Sequence, residues 1–216
     1  MRFVNKYMLV LCCIVCAGAN AQEAVSLSHY VFPAFSKGRV QQKNGSTDEA
    51  MLNYNVLSKE MIFESAPAHY LALANPEKAD TVFILDRKFV PVNNEFYELL
   101  TNAAWPLFVQ YNCTIKEPGN DIGYGMSSVT TASPAVKSLI QSGGAYSLRL
   151  PDGFQVVTAT VYWIYKDGKF QKVNSAKQLI AAAPEKKEKI NELVKKNNTN
   201  FNKKQEVIDL IRELGN

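Results

Sequence analysis

With 216 residues, 24 lysines and arginines against 20 aspartates and glutamates, and 11% aromatic side chains, the chain can build a sizeable hydrophobic core. Its charge is too balanced to give the basic footprint of a nucleic-acid binder. The basic excess sits at the end: residues 175–216 carry nine basic and six acidic side chains, residues 22–174 thirteen and fourteen.

Residues 1–21 read as a signal peptide. Arg2 and Lys6 form a basic start, residues 8–16 an apolar stretch, and Ala19-Asn20-Ala21 a small-x-small cleavage site, so the exported chain is expected to begin at Gln22. The apolar run is well short of the roughly twenty residues that span a bilayer, and no transmembrane span is expected beyond it. Export places the protein in the periplasm, on the outer-membrane surface or outside the cell. Cys12, Cys13 and Cys16 leave with the signal peptide. Cys113 remains alone, with no intramolecular disulfide to make, and its strand-like surroundings predict a buried, inert thiol.

Beyond an extended lead-in, the exported chain reads as strands. Residues 37–43 and 47–54 form a hairpin with a type I′ turn at Asn44-Gly45, where both central residues would need positive φ. Residues 59–63 and 69–74 make a second pair around Ser65-Ala66-Pro67, closed off by Asn75-Pro76. The segment 80–100 carries three short β-branched and aromatic runs, 81–85, 89–92 and 96–100. The polar connections Asp86-Arg87-Lys88 and Asn93-Asn94 are short enough for a meander. Residues 105–115 are the longest strand candidate, with Pro106 marking an edge or a strand beginning.

Several of these residues also resemble a known family. Lys37-Gly38-x-Val40 with Lys43-Asn44-Gly45, then Leu52-Asn53-Tyr54-Asn55, Met61-x-Phe63, Thr81-Val82, Phe89-Val90-Pro91-Val92 and Phe96-Tyr97-Glu98 resemble a family of uncharacterised secreted proteins from Bacteroidetes-type bacteria. The resemblance is clearest from about residue 35 to 115. It implies export and a β-rich module, and it carries no activity or ligand.

Residues 117–145 are rich in Gly, Ser and Thr and read as a flexible loop, the sharper alternative being a ligand loop with Tyr124 as its aromatic contact. Strand character returns at 146–150 and 156–173, where Asp167-Gly168 is a hairpin turn. The tail then switches to helical period. Ser175 is an N-cap with Gln178 at the capping-box position. Pro184 opens a second helix with Glu185–Lys189 and Glu192–Lys196 pairs, Asn202 caps a third, and Gly215 ends it. The fold class expected is α+β: an antiparallel β-rich meander and hairpin body over 22–174, with a C-terminal appendage of about three short helices over 175–216.

No catalytic motif stands out. The two histidines, His29 and His69, lack a Gly-x-Ser-x-Gly, His-Glu-x-x-His or Cys-x-x-Cys context. His69 can be written beside Ser65 or Cys113 as a nucleophilic pair, but an ordinary histidine is the simpler account. Glu95 and Glu98, three apart on a strand, would face opposite sides and could not share a glycosidase site. No metal or other cofactor is expected.

The candidate ligand or partner surface is Trp163, Tyr165 and Tyr124. On a strand Trp163 and Tyr165 share one face, and Tyr162 and Ile164 the other. The competing expectation is that the helical tail docks on the Trp163–Tyr165 face, burying Ile190, Leu193, Ile208 and Ile211. The function expected is an exported, non-enzymatic binding or structural module of the cell envelope, with an envelope protein or a glycan as partner. The alternative is a hydrolase with an unrecognised active site.

Overall fold

A computed structural model describes residues 27–103, 105–116, 129–131 and 140–215. The expected signal peptide and Tyr124 lie outside the described residues.

The first hairpin joins β1 (Ser36–Gln42) and β2 (Thr47–Asn55). Its turn differs from the type I′ expected. Gln41 pairs with Thr47, and only Gly45 has positive φ, at 89°. The backbone N–H of Gly45 donates to Gln42 at 3.0 Å, while the Asn44 Oδ1 accepts from the Ser46 N–H at 2.9 Å. Asn44 therefore makes a local side-chain turn, and the connection becomes a three-residue loop with glycine in the left-handed position. β3 (Glu60–Ala66) and β4 (His69–Ala72) form the second hairpin.

After a 3-10 turn at Pro76–Lys78, β5 (Ala79–Ile84), β6 (Arg87–Val92) and β7 (Glu95–Thr101) pair antiparallel in succession. Asn93 and Asn94 supply φ of 51° and 63° between β6 and β7, the primed-turn geometry that asparagine tolerates. β8 (Leu107–Lys116) follows Pro106. It pairs with both β7 and β12, so the proline marks a strand beginning and not an edge. β9 (Val129–Thr131) pairs with the end of β8. β10 (Gln141–Ser142) and β11 (Ala145–Tyr146) make a separate small hairpin around Gly143-Gly144. The described parts of 117–145 thus carry strand pairing where the composition suggested only loop.

β12 (Gln155–Lys166), with 12 residues, exceeds the strand expected to be longest, and β13 (Lys169–Lys172) folds back on it. Asp167 and Gly168, at φ 53° and 74°, form the expected turn. The main sheet runs β13-β12-β8-β7-β6-β5-β1-β2-β3-β4, with β9 beside β8. β1 sits against β5, so the two N-terminal hairpins extend the central strands. At that junction Gly38 is required by close approach: a Cβ there would lie 2.6 Å from the Phe83 carbonyl oxygen and 2.7 Å from Leu52 Cδ1.

The tail forms α1 (Ala176–Ala182), a 3-10 turn (Pro184–Lys186) leading into α2 (Lys187–Asn197), and α3 (Lys204–Gly215). Ser175 Oγ accepts from the Gln178 N–H at 3.2 Å. The Gln178 side chain reaches one residue beyond a capping box, accepting from the Asn174 N–H at 2.8 Å. Two details depart from expectation. Glu185 pairs with Lys166, at 2.8 Å, across to β12. Before α3, Asn200 Oδ1 accepts from the Asn202 N–H at 2.9 Å, and the Glu206 carboxylate reaches back to the Asn200 N–H at 2.7 Å.

Among the described residues, three apolar clusters hold the protein together. The helices close one of them on the sheet, with Leu179, Ile190, Leu193, Ile208 and Ile211 against Leu107, Val109, Tyr162 and Ile164. Lys186 and Lys166 bracket Trp105 there, 4.9 and 5.5 Å from its ring. A second cluster fills the sheet interior around Leu52, Tyr54, Phe89 and Phe96. The third joins Tyr30, Ile62, Cys113, Ile140 and Tyr146. Tyr111 packs against all three.

Candidate functional site

The helical tail covers the face of β12 opposite to the one expected. Ile190, Leu193, Ile208 and Ile211 are buried as anticipated, but against Tyr162 and Ile164. Strand parity gives the reason. Trp163 pairs with Lys172, so Val173 points to the other side and lies fully buried with Tyr162. Asn174 then fixes the exit, accepting from the Tyr162 N–H at 2.8 Å and donating to the Thr160 carbonyl at 3.0 Å. The chain leaves β13 already committed to the Tyr162 side.

That leaves the outer face free of the helices. The β12–β13 turn sets Tyr165 opposite Phe170, with ring centroids 5.0 Å apart. Phe170 also meets Phe108 edge-on at 5.2 Å and Tyr97 at 5.6 Å. Tyr97 stacks on Trp163 at 6.0 Å with 23° between planes. The five rings form a continuous layer in the stacked and tilted arrangements that aromatic quadrupoles favour. Tyr165 stands proud of it, 43% exposed, while Phe108 is only 8% exposed. A shallow groove of about 450 Å³ runs beside it, between residues 90–93 on one bank and Phe108, Tyr165 and Phe170 on the other.

A polar chain anchors the layer. The Trp163 indole N–H donates to Gln110 Oε1 at 3.2 Å, and the Gln110 amide donates to Glu95 Oε2 at 2.6 Å. Lys59 completes it, donating to Glu95 Oε1 at 2.7 Å. Burial, reinforced by the Glu95 charge, pushes the Tyr97 hydroxyl above the ordinary tyrosine range. Of the sequence-predicted site residues, Trp163 and Tyr165 come together here, and Tyr124 lies outside the described residues. Sequence reasoning missed Tyr97, Phe108 and Phe170. Their signal was the cross-strand register, which pairs β8 with β12 and β12 with β13.

Other candidate chemistry disperses. Glu95 and Glu98 do take opposite faces: Glu95 joins the outer polar chain, while Glu98 turns inward to a bidentate pair with Arg87 at 2.8 and 2.7 Å. Tyr111 donates to the same carboxylate. The Arg87 guanidinium lies 4.5 Å from the Phe32 ring and 5.3 Å from Phe89. Burial is the largest single effect and opposes its charge, but the hydrogen bonds to Glu98 together with the charges of Tyr111, Glu98 and Asp86 outweigh it, raising its pKa. This is an interior charge pair.

Ser65 Oγ and His69 Nδ1 do meet, at 2.6 Å, but on the exposed β3–β4 turn, where Ser65 also donates to the His69 carbonyl at 3.1 Å. The nearby Glu64 carboxylate accepts from the Ala68 N–H at 3.2 Å. The pair closes a solvent-exposed turn.

Cys113 is buried and free, its thiol pushed up to about 11 by desolvation. Among the described residues no cluster of three or more His, Cys, Asp or Glu side chains could hold a metal ion. A larger groove, about 520 Å³, lies between Lys43, Asn44, Asp48, Asn75, Glu77 and Lys78. It is lined by surface side chains of both charges and has no aromatic wall. Among the described residues no helix is long and apolar enough to cross a membrane. Comparison with protein-family models, curated proteins and solved structures finds no match.

Proposed function

We propose that the protein is an exported, non-enzymatic binding module of the cell envelope, and that the open aromatic face of β7, β8, β12 and β13 is its contact surface. The observation that carries this is Tyr165, 43% exposed at the edge of a packed ring layer that the helices leave bare. Stacked rings lose little conformational freedom on contact, so binding energy is not spent on ordering them. The signal peptide read from residues 1–21 and the resemblance to a secreted family support the compartment.

The test is cosedimentation of the purified protein with insoluble envelope material. Wild-type protein is expected to pellet, and Tyr165→Ala with Phe170→Ala to remain in solution. Lys195→Ala on α2, away from this face, should pellet like wild type. Equal pelleting of all three would remove the face from this role.

A hydrolase would rest on the Ser65–His69 contact. Abolition of measurable ester hydrolysis by Ser65→Ala would favour it over the binding module.

A further inference from the structure

The outer face carries a line of residues that no single motif reveals. Following the register across the sheet, Arg39 pairs with Phe83, Phe83 with Lys88, Lys88 with Leu99, Leu99 with Phe108, Phe108 with Trp163, and Trp163 with Lys172. Paired residues on neighbouring strands share a face. The line therefore reads cation, ring, cation, aliphatic, ring, ring, cation. Arg39 and Lys88 lie 4.6 and 6.0 Å from the Phe83 ring. From Lys88 to Lys172 there are four strand steps, roughly 19 Å at the usual strand spacing.

The charge on this line is one-sided. Glu95 on the same face is neutralised by Lys59 at 2.7 Å, and Glu49 by Lys37 at 3.0 Å. Arg39, Lys88 and Lys172 form no ion pair among the described residues. Unpaired cations therefore flank a flat aromatic strip.

Resting on the proposal that this face binds, we infer that its ligand is an acidic polysaccharide, a chain of carboxylate-bearing sugars lying across the strands from Lys88 to Lys172. Sugar rings present flat faces of C–H groups that pack on electron-rich aromatic faces. Their carboxylates, repeated along the polymer, meet the lysines at each end of the strip. A lipid surface fits less well. Insertion requires a cluster of protruding apolar side chains, whereas Tyr165 stands proud by itself among the five rings, Phe108 is 8% exposed, and Trp163 and Leu99 are half-buried. The groove beside Tyr165 and Phe170 receives the side of the chain, with the Tyr165 ring as its wall.

The experiment titrates the purified protein with an oligogalacturonate, with a neutral glucan of the same length, and with phosphatidylglycerol vesicles, following Trp fluorescence and calorimetry. The oligogalacturonate alone is expected to bind, with affinity that falls as salt rises. Lys88→Gln combined with Lys172→Gln should weaken it by about tenfold or more, as expected for losing hydrogen bonds to charged groups. The melting temperature should change little, because neither lysine has an ion-pair partner among the described residues and Lys88 meets the Phe83 ring only at 6.0 Å. Equal binding of the double variant, binding only to vesicles, or no binding to either sugar overturns the inference. Neutral glucan binding that Tyr165→Ala abolishes also overturns it, while leaving the binding face intact. Failure of the face itself shows separately, as envelope cosedimentation indifferent to Tyr165→Ala.

Discussion

Trp163 stacks on Tyr97 with 23° between the rings, while its indole N–H is held by Gln110. The ring is thus fixed on its face and at its edge. Trp163→Phe keeps the stacking partner and loses the hydrogen bond, and should lower unfolding free energy by about 1 kcal/mol. Tyr165→Ala, 43% exposed at the edge of the layer, should cost no more than about 0.5 kcal/mol. Urea unfolding of both variants separates the anchored ring from the protruding one. A larger loss at Tyr165 would mean that it is structural.

The helical tail is integral to the sheet's stability. Ile211→Ala and Leu179→Ala each empty a fully packed site and should cost about 2–5 kcal/mol. A chain ending before Ser175 bares Leu107, Val109, Tyr162 and Ile164, and should bind a hydrophobic dye strongly. Full-length melting temperature and no dye binding in that truncation would make the tail an independent unit.

His29 is fully buried, its ring nitrogens without hydrogen-bond partners among the described residues. Desolvation pushes its pKa down to about 4 from 6.5. The folded state therefore resists protonation that the unfolded chain accepts. The associated stability is complete above the unfolded pKa and lost as pH falls toward about 4, by about 3 kcal/mol over the window. His29→Leu should flatten the dependence between pH 7 and 5. An unchanged slope in denaturant titrations would show that another group sets it.

Arg87 and Glu98 form a pair in which Glu98 is 5% exposed. Arg87→Met leaves that carboxylate buried beside Tyr111 without its bidentate partner, and should cost about 3–5 kcal/mol. Replacing both charges, Arg87→Met with Glu98→Leu, should cost less than Arg87→Met alone. Strict additivity of the two changes in unfolding free energy would rule out the coupling.

Gly38→Ala places a methyl against the Phe83 carbonyl and Leu52. Backbone on one side and a core side chain on the other leave little room to relax, so the expected cost is about 1–3 kcal/mol. Thermal melting at full chain length measures it. A neutral result would show that β1 shifts freely against β5.

Much local chemistry was legible in the sequence: hairpins at Asn93-Asn94 and Asp167-Gly168, the Ser175 cap, and the inward helix residues all follow from turn geometry and period. What the sequence could not carry was which side of β12 the tail would take. Trp163–Tyr165 and Tyr162–Ile164 are both plausible apolar faces, and their difference lies in distant neighbours. The inner face gains Leu107 and Val109 from β8, whereas the outer gains Phe108 and Phe170 beside the polar Gln110 and Lys172. The same distance hides the Phe108 contribution to the site, since its link to Trp163 is a register and not a spacing. Asn44-Gly45 misled for the opposite reason: the dipeptide signal was strong, but the asparagine side chain found a nearer bond in Ser46.

Tyr111, shared by all three apolar clusters, has a bearing on cooperativity. Its ring touches the helix-covered layer, the sheet interior and the cluster around Cys113, and its hydroxyl is tied to Glu98. Melting any one cluster strips a wall from this side chain and weakens the other two. Calorimetry should therefore record a single transition, with the calorimetric and van't Hoff enthalpies in agreement. A single transition would leave few of the partly unfolded states through which β-rich chains aggregate.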